Sequence, residues 1–199
     1  MNDTTRRSAA DARQALLRVL VRTAFNAAPE PIYRLASGAM SRYYVDCRMA
    51  MSHAEAREAV GELMADRIES GRFGEIDAVG GLVIGAYPVS IALADALYRR
   101  AGCAPRVFIV RKEAKKHGLG KFVEGDVEKG MRAVVVDDVI TSGGSTIQAI
   151  ERARDWGLEI AGALAIVDRG ESGGREAIEA VGIPFESLLA LSELAEAAR

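Results

Sequence analysis

The sequence predicts an α/β protein built on a mainly parallel sheet. Short apolar runs alternate with segments of helical period along most of the chain, which is the pattern of βαβ units with right-handed crossovers. Runs such as Val134-Val135-Val136 contain no polar residue, as expected of strands covered on both faces. The chain has 199 residues, 49% of them hydrophobic and 27% charged, with 20 Gly against 5 Pro. That is enough for one full core without disulfides or metals, and it excludes disordered and collagen-like designs.

The elements follow in order. Leu16, Leu17, Leu20 and Val21 fall on helical spacing, and Arg13, Arg18 and Arg22 interrupt them, which argues against a secretory signal; an amphipathic helix is the simpler reading, with an Arg-rich transit peptide as the alternative. Pro29 and Pro31 mark a loop, and the mixed stretch Tyr33 to Arg48 reads as a hairpin or loop. Ser52 with Glu55 forms a capping-box pattern ahead of a helix from His53 to Ile68, whose Ala56, Val60, Leu63, Met64 and Ile68 share a face. A strand from Ile76 to Val79 then leads into a glycine-rich turn, Gly80 to Gly85, and a helix from Pro88 to Arg99. The strand Val107 to Val110 is followed by a polar segment, Arg111 to Gly125. The strand Ala133 to Val136 runs into Asp137 and a loop, with a helix from Ser145 to Asp155 beyond it. A strand from Ile160 to Val167, a helix from Arg175 to Ala180 and a last strand from Ser187 to Leu191 complete the order. Residues 1–50 form a helix and a small hood, and residues 51–199 one compact core.

Charge and cysteines narrow the function. Twenty-six basic against twenty-eight acidic residues leave −2, which argues against a protein that coats nucleic acid. No apolar run approaches the ~20 residues of a membrane span. Cys47 and Cys103 are isolated in sequence and read as reduced, packed thiols of a cytoplasmic protein, with no metal-spaced pair.

The sharpest local signal runs from Val134 to Thr146: a buried strand ends in Asp137 and Asp138, then Val139, Ile140, Thr141, Ser142, Gly143, Gly144 and Ser145 open a helix. Small side chains let backbone amides converge, and the helix N-terminus adds partial positive charge, so the loop suits a phosphate. No Walker lysine stands at the helix start. Two carboxylates repel a triphosphate but suit ribose hydroxyls, and they can help to position Mg²⁺ carried by a diphosphate. The pattern therefore fits a ribose 5-phosphate.

A second segment, Arg111 to Lys121, holds five cations (Arg111, Lys112, Lys115, Lys116, Lys121) against Glu113, with Gly118 and Gly120 supplying backbone freedom. It reads as a lid whose cations neutralise a departing diphosphate and whose His117 donates a proton or hydrogen bond. On charge alone a solvated surface loop fits as well.

The acidic segment closely resembles the phosphoribosyl-pyrophosphate motif of type I phosphoribosyltransferases. The string Arg111-Lys-Glu-Ala-Lys-Lys-His-Gly-Leu-Gly120 is similar to the catalytic loop of orotate phosphoribosyltransferases. Tyr33-Arg-Leu-Ala-Ser-Gly38, continuing through Ser41, Tyr43, Tyr44, Val45 and Asp46, resembles that family's N-terminal segment. The resemblance spans roughly Ala28 to Leu191. It implies a type I phosphoribosyltransferase fold, a twisted and mainly parallel sheet flanked by helices with a small N-terminal hood. It also implies transfer of a phosphoribosyl group from phosphoribosyl pyrophosphate (PRPP) to orotate with Mg²⁺, in pyrimidine synthesis.

Residue by residue, the resemblance implies that Asp137 and Asp138 face the ribose and that Thr141 to Ser145 hold the 5-phosphate. Val139 and Ile140 complete the motif. Lys115 and His117 act on the diphosphate together with Lys112, reaching in from the neighbouring subunit of a homodimer, with Arg111 near the subunit boundary. Ser37, Gly38, Tyr44, Thr141 and Arg169 meet the base. Arg169 has the fork geometry for a carboxylate, and a strand-end ion pair is its other reading. Metal is held mainly through PRPP, with no direct ligand assigned. Gly80 to Ala86 would be the pyrophosphate loop. Some relatives carry lysine at the positions of Gly85 and Ala36 or aspartate at that of Tyr87, and many have a basic residue where Ala39 stands. A transferase for another base and a non-catalytic RNA-binding regulator are the alternatives on the same fold.

Overall fold

A computed structural model describes residues 8–35, 38–113 and 122–199. The chain order is α1 (Ala9–Thr23), β1 (Phe25–Ala27), β2 (Tyr33–Arg34), β3 (Met40–Ser41), β4 (Tyr43–Val45), α2 (Cys47–Met51), α3 (Ala54–Glu69), β5 (Ala78–Leu82) and α4 (Ala86–Ala101). There follow β6 (Arg106–Val110), β7 (Val123–Gly125), β8 (Arg132–Ile140), α5 (Gly144–Trp156), β9 (Glu159–Asp168), α6 (Gly174–Glu179), β10 (Phe185–Ala190) and α7 (Leu191–Ala197).

Six strands form one sheet in the order β10-β9-β8-β5-β6-β7. All neighbours are parallel except β7, which runs antiparallel to β6. Two apolar layers cover it. Helices α1, α3, α4 and α7 pack on one face through residues such as Leu16, Leu20, Val60, Met64, Leu93 and Leu194. Helices α5 and α6 cover the other through Ala149, Ile150, Ala153 and Ile178, which meet Val135, Ala163 and Phe185. Each fully buried aliphatic side chain contributes roughly 1.5–3 kcal/mol, so burial on both faces explains the uninterrupted apolar runs.

The expected α/β class and parallel sheet are what the chain adopts. The first helix starts where Ser8 Oγ accepts from the Asp11 amide at 3.1 Å, a side-chain N-cap. It packs on its own chain, with Arg13 of α1 paired to Glu193 of α7 at 2.5 Å. The stretch after Pro31 forms two small antiparallel pairs, β2 with β3 and β4 with β1.

Several expectations change in detail. Ser52 does not cap α3: it is the C-cap of a short preceding helix, α2, and its hydroxyl donates back to the Met49 carbonyl at 2.6 Å. His53 becomes the N-cap residue of α3, without a side-chain cap bond. The strand β5 begins two residues later than Ile76 and includes Gly80 and Gly81, leaving only Val83 to Gly85 as the turn. A Cβ on Gly81 would lie well inside contact distance of the Val136 carbonyl of β8, so close backbone approach, not turn formation, requires this glycine. The polar segment after Val110 contains β7, three residues too short for alternation to reveal. Strand β8 continues through Asp137 and Asp138 to Ile140, because its pairing with β9 persists to Asp168. Cys47 is buried as expected, but Cys103 is exposed in the connection after α4.

Candidate active site

Strand β5 leads through α4 outward to β6, whereas β8 leads through α5 in the opposite direction to β9. The C-terminal ends of β5 and β8 therefore flank the topological switch point, where doubly wound sheets bind ligands. A cavity of about 300 Å³ opens there, lined by Val83, Ile84 and Gly85 after β5 and by Asp137, Asp138, Val139, Thr141 and Ser145 of the β8–α5 connection. Arg169 after β9, Lys112 after β6 and the hood residues Arg34, Leu35, Tyr44, Val45, Asp46 and Arg48 complete the wall.

Asp137 is buried and accepts from Thr146 Oγ1 at 2.7 Å and from the Asp138 amide at 3.0 Å. Burial, and next the neighbouring Asp138 carboxylate, push its carboxyl up to about 7. Burial likewise raises Asp138. Two carboxylates this close favour sharing a proton until cationic or hydrogen-bond-donating ligands arrive. Asp138 also lies close against the opposite turn: a Cβ on Gly85 would stand 2.5 Å from Asp138 Oδ1. Any side chain there would displace that carboxylate, so the absence of lysine at Gly85 matches the local geometry.

The turn after β8 is tight because Gly143 takes φ +76 and precedes α5 as its N-cap. A Cβ at Gly143 would meet the Gly174 carbonyl at 2.9 Å. Thr141 and Ser145 line the cavity, and the Ile140 side chain lies in the core. Ser142, Gly143 and Gly144 form the turn itself without lining the cavity wall.

Beyond the end of β9, Arg169 is 6% exposed. Its guanidinium donates to Glu171 Oε2 from Nε at 3.0 Å and from Nη2 at 2.7 Å, and Nη2 also meets Ser41 Oγ and the Tyr43 carbonyl at 3.1 Å. Arg169 thus makes the strand-end ion pair that was one of its two readings, and it also lines the cavity. Tyr44 is part of the wall and stacks on Tyr33 with ring centroids 5.7 Å apart. Gly38 forms a turn at φ +87 and is not among the lining residues. Lys112 lines the cavity of its own chain and not, as the resemblance implied, only a neighbour's, because it closely follows β6 at the same end of the sheet, whereas Arg111 pairs with Glu124 of β7 at 3.0 Å. Ser37, Lys115, Lys116, His117 and Lys121 lie outside the described residues. His53 is not among the lining residues.

Among the residues that carried no assigned role in the sequence are the charged wall pair Asp46 and Arg48 and the brace Glu171. Asp46 accepts from Arg48 Nε at 2.8 Å and Nη2 at 2.7 Å, and it caps α2 through the Arg48 amide; this pairing with Arg48 holds the Asp46 carboxyl below its usual range. An Asp two residues before an Arg at a short helix start was the available signal. Glu171, the brace behind Arg169, is readable only through the fold.

A family model described as the phosphoribosyl transferase domain matches residues 51–185, in agreement with the class that the sheet, switch-point cavity and acidic strand end define. The orotate phosphoribosyltransferase of Aquifex aeolicus is 40% identical over 182 residues, 92% of this chain and 97% of that protein. The Mycobacterium tuberculosis orotate phosphoribosyltransferase, solved with Fe(III) dicitrate, aligns with a TM-score of 0.76 at 36% identity, over 92% of this chain and 98% of that one. A second structure of that enzyme, in complex with PRPP, aligns with a TM-score of 0.71 at 32% identity, over 92% of this chain and 91% of that one. The chain belongs to the orotate phosphoribosyltransferase family.

Proposed function

We propose that this chain transfers the 5-phosphoribosyl group from PRPP to orotate, giving orotidine 5′-monophosphate and diphosphate. The observation that carries the reading is one cavity that joins an acidic strand end, a small-residue turn into α5, and the forked cation Arg169. Asp137 and Asp138 accept hydrogen bonds from the ribose hydroxyls, and the backbone and hydroxyls from Thr141 to Ser145 cradle the 5-phosphate. Arg169 pairs with the carboxylate of the base, Tyr44 covers its flat face, and Ser37 and Gly38 belong to the hood segment that closes over it.

As the C1–diphosphate bond loosens, positive charge grows on the ribose and negative charge on the leaving group. Lys112, Lys115 and His117 stabilise the latter, and the base nitrogen, its N–H proton passing to solvent, then attacks C1 as diphosphate leaves. Hard carboxylate oxygens on the cavity wall suit a hard divalent cation, and Asp137 and Asp138 would help to hold one carried by PRPP. Mg²⁺, when bound, neutralises diphosphate charge.

The enzyme acts as a cytoplasmic homodimer whose basic loop serves the partner's site. Support for a partner comes from an apolar hollow of about 510 Å³ beside the donor cavity, lined by Ile84, Tyr87, Val107 and Ile109. Ile84 and Tyr87 are exposed to 69% and 48%, enough uncovered apolar surface to favour a contact. Supplying orotate, PRPP and Mg²⁺ should yield orotidine 5′-monophosphate and diphosphate in equal amounts. Diphosphate released without the nucleotide would remove orotate as acceptor.

A further inference from the structure

We propose that Glu171 is a positioning residue for the base, acting through Arg169; the inference rests on the reading of Arg169 as the group that pairs with orotate. A long cation on a loop has many rotamers, and most of them would point it away from the base. Here four bonds hold it. Glu171 Oε2 receives both Nε and Nη2 of Arg169, and Nη2 is further tied to Ser41 Oγ and the Tyr43 carbonyl. The same carboxylate accepts from Ser41 Oγ through Oε1 at 3.3 Å. Ser41 Oγ accepts in turn from the Tyr43 amide at 3.1 Å.

The consequence is directional. Nε and Nη2 are spent on the brace, and Nη1 bonds to none of the described residues, so the Nη1 end of the fork is the one left for a ligand. The brace also crosses between two parts of the chain: Ser41 and Tyr43 belong to the hood strands, whereas Arg169 and Glu171 follow β9. Glu171 thereby ties the hood to the base-reading cation. The side chain of Arg169 is 2% exposed and that of Glu171 36%, so the brace has a shielded end and a wet end. Only an ionised carboxylate satisfies this geometry, because both oxygens must accept; an amide would set an N–H donor against either the guanidinium or the Ser41 hydroxyl.

The test is steady-state kinetics on Glu171→Gln, Arg169→Ala and the double variant. Glu171→Gln should raise KM for orotate by about tenfold, on the scale of one charge-assisted hydrogen bond, with KM for PRPP changed less than about twofold. Adding Glu171→Gln to Arg169→Ala should then have no further effect on KM for orotate, as for groups that act in series. Equal effects of Glu171→Gln on both substrates, or an unchanged KM for orotate beside a raised one in Arg169→Ala, would overturn the positioning role alone. An unchanged KM for orotate in Arg169→Ala would remove the reading of Arg169 and the inference with it. Additive effects in the double variant would mean that Glu171 acts by another route and would overturn the proposal.

Discussion

Asp137 shows how one residue can be costly to the fold and useful to the site. Its carboxyl, pushed up to about 7 by burial and by Asp138, keeps a proton that the unfolded chain has already released above about pH 4. Native protein therefore binds more protons than unfolded protein between about pH 4 and pH 7, and stability falls as pH rises through that window. Asp137→Asn removes the buried charge. We expect its Tm to exceed that of the parent by about 5 °C at pH 8, for ~1–2 kcal/mol relieved, and to show no such gain at pH 4. Activity should move the other way, falling by about a hundredfold with loss of an ionised ribose acceptor. In the parent, kcat/KM for PRPP should climb as pH rises through 7, and in Asp137→Asn that climb should disappear. Thermal unfolding and kinetics at pH 4–8 decide both points.

Among the elements, the β5–α4 turn and the strand before it divide two kinds of glycine. Gly81 is pressed against the backbone of β8, whereas Gly85 faces the Asp138 carboxylate, a side chain that can move. Gly81→Ala should destabilise the sheet by about 3 kcal/mol. Gly85→Ala should fold with a Tm close to the parent's but lose PRPP binding as Asp138 is displaced. Denaturant unfolding set beside PRPP titration separates the two; equal loss of stability in both variants would refute the distinction.

The same elements define what the sequence could disclose. Long periodic segments such as α1, α3, α4 and α5, and apolar strands such as β8 and β9, declared themselves because local pattern and burial agree. Gly80 and Gly81 read as turn residues because a glycine needed for close strand packing looks identical in sequence to one needed for a bend. Helices α2 and α7 and strand β7 are too short for a period to emerge. At the site, Asp137, Asp138 and Arg169 stood out by chemistry at strand ends. The Asp46–Arg48 pair had a local signal at the start of α2, whereas Glu171 acquires a role only when the hood strands are folded against the end of β9, a long-range placement that no local pattern encodes.

For the molecule as a whole, the sheet gathers Asp137, Asp138, Arg169 and Lys112 around one cavity of one chain, while the proposed assembly brings Lys115 and His117 from a second. That division has a numerical consequence. Lys115→Ala removes a group acting in the partner's site, and Asp137→Asn one acting in its own. Equal amounts of the two inactive variants, reassociated, should form heterodimers for half of the population, each with one intact site, and recover about a quarter of the parent's activity. Recovery near zero would place Lys115 in its own subunit's site.

The base that is consumed distinguishes the proposed transfer to orotate most directly from its alternatives. Following orotate absorbance with Mg²⁺, PRPP and protein should show loss only when every component is present, and Arg169→Ala should slow that loss at low orotate. Intact orotate alongside diphosphate release with a base lacking the carboxylate, or no reaction with any base, would contradict it.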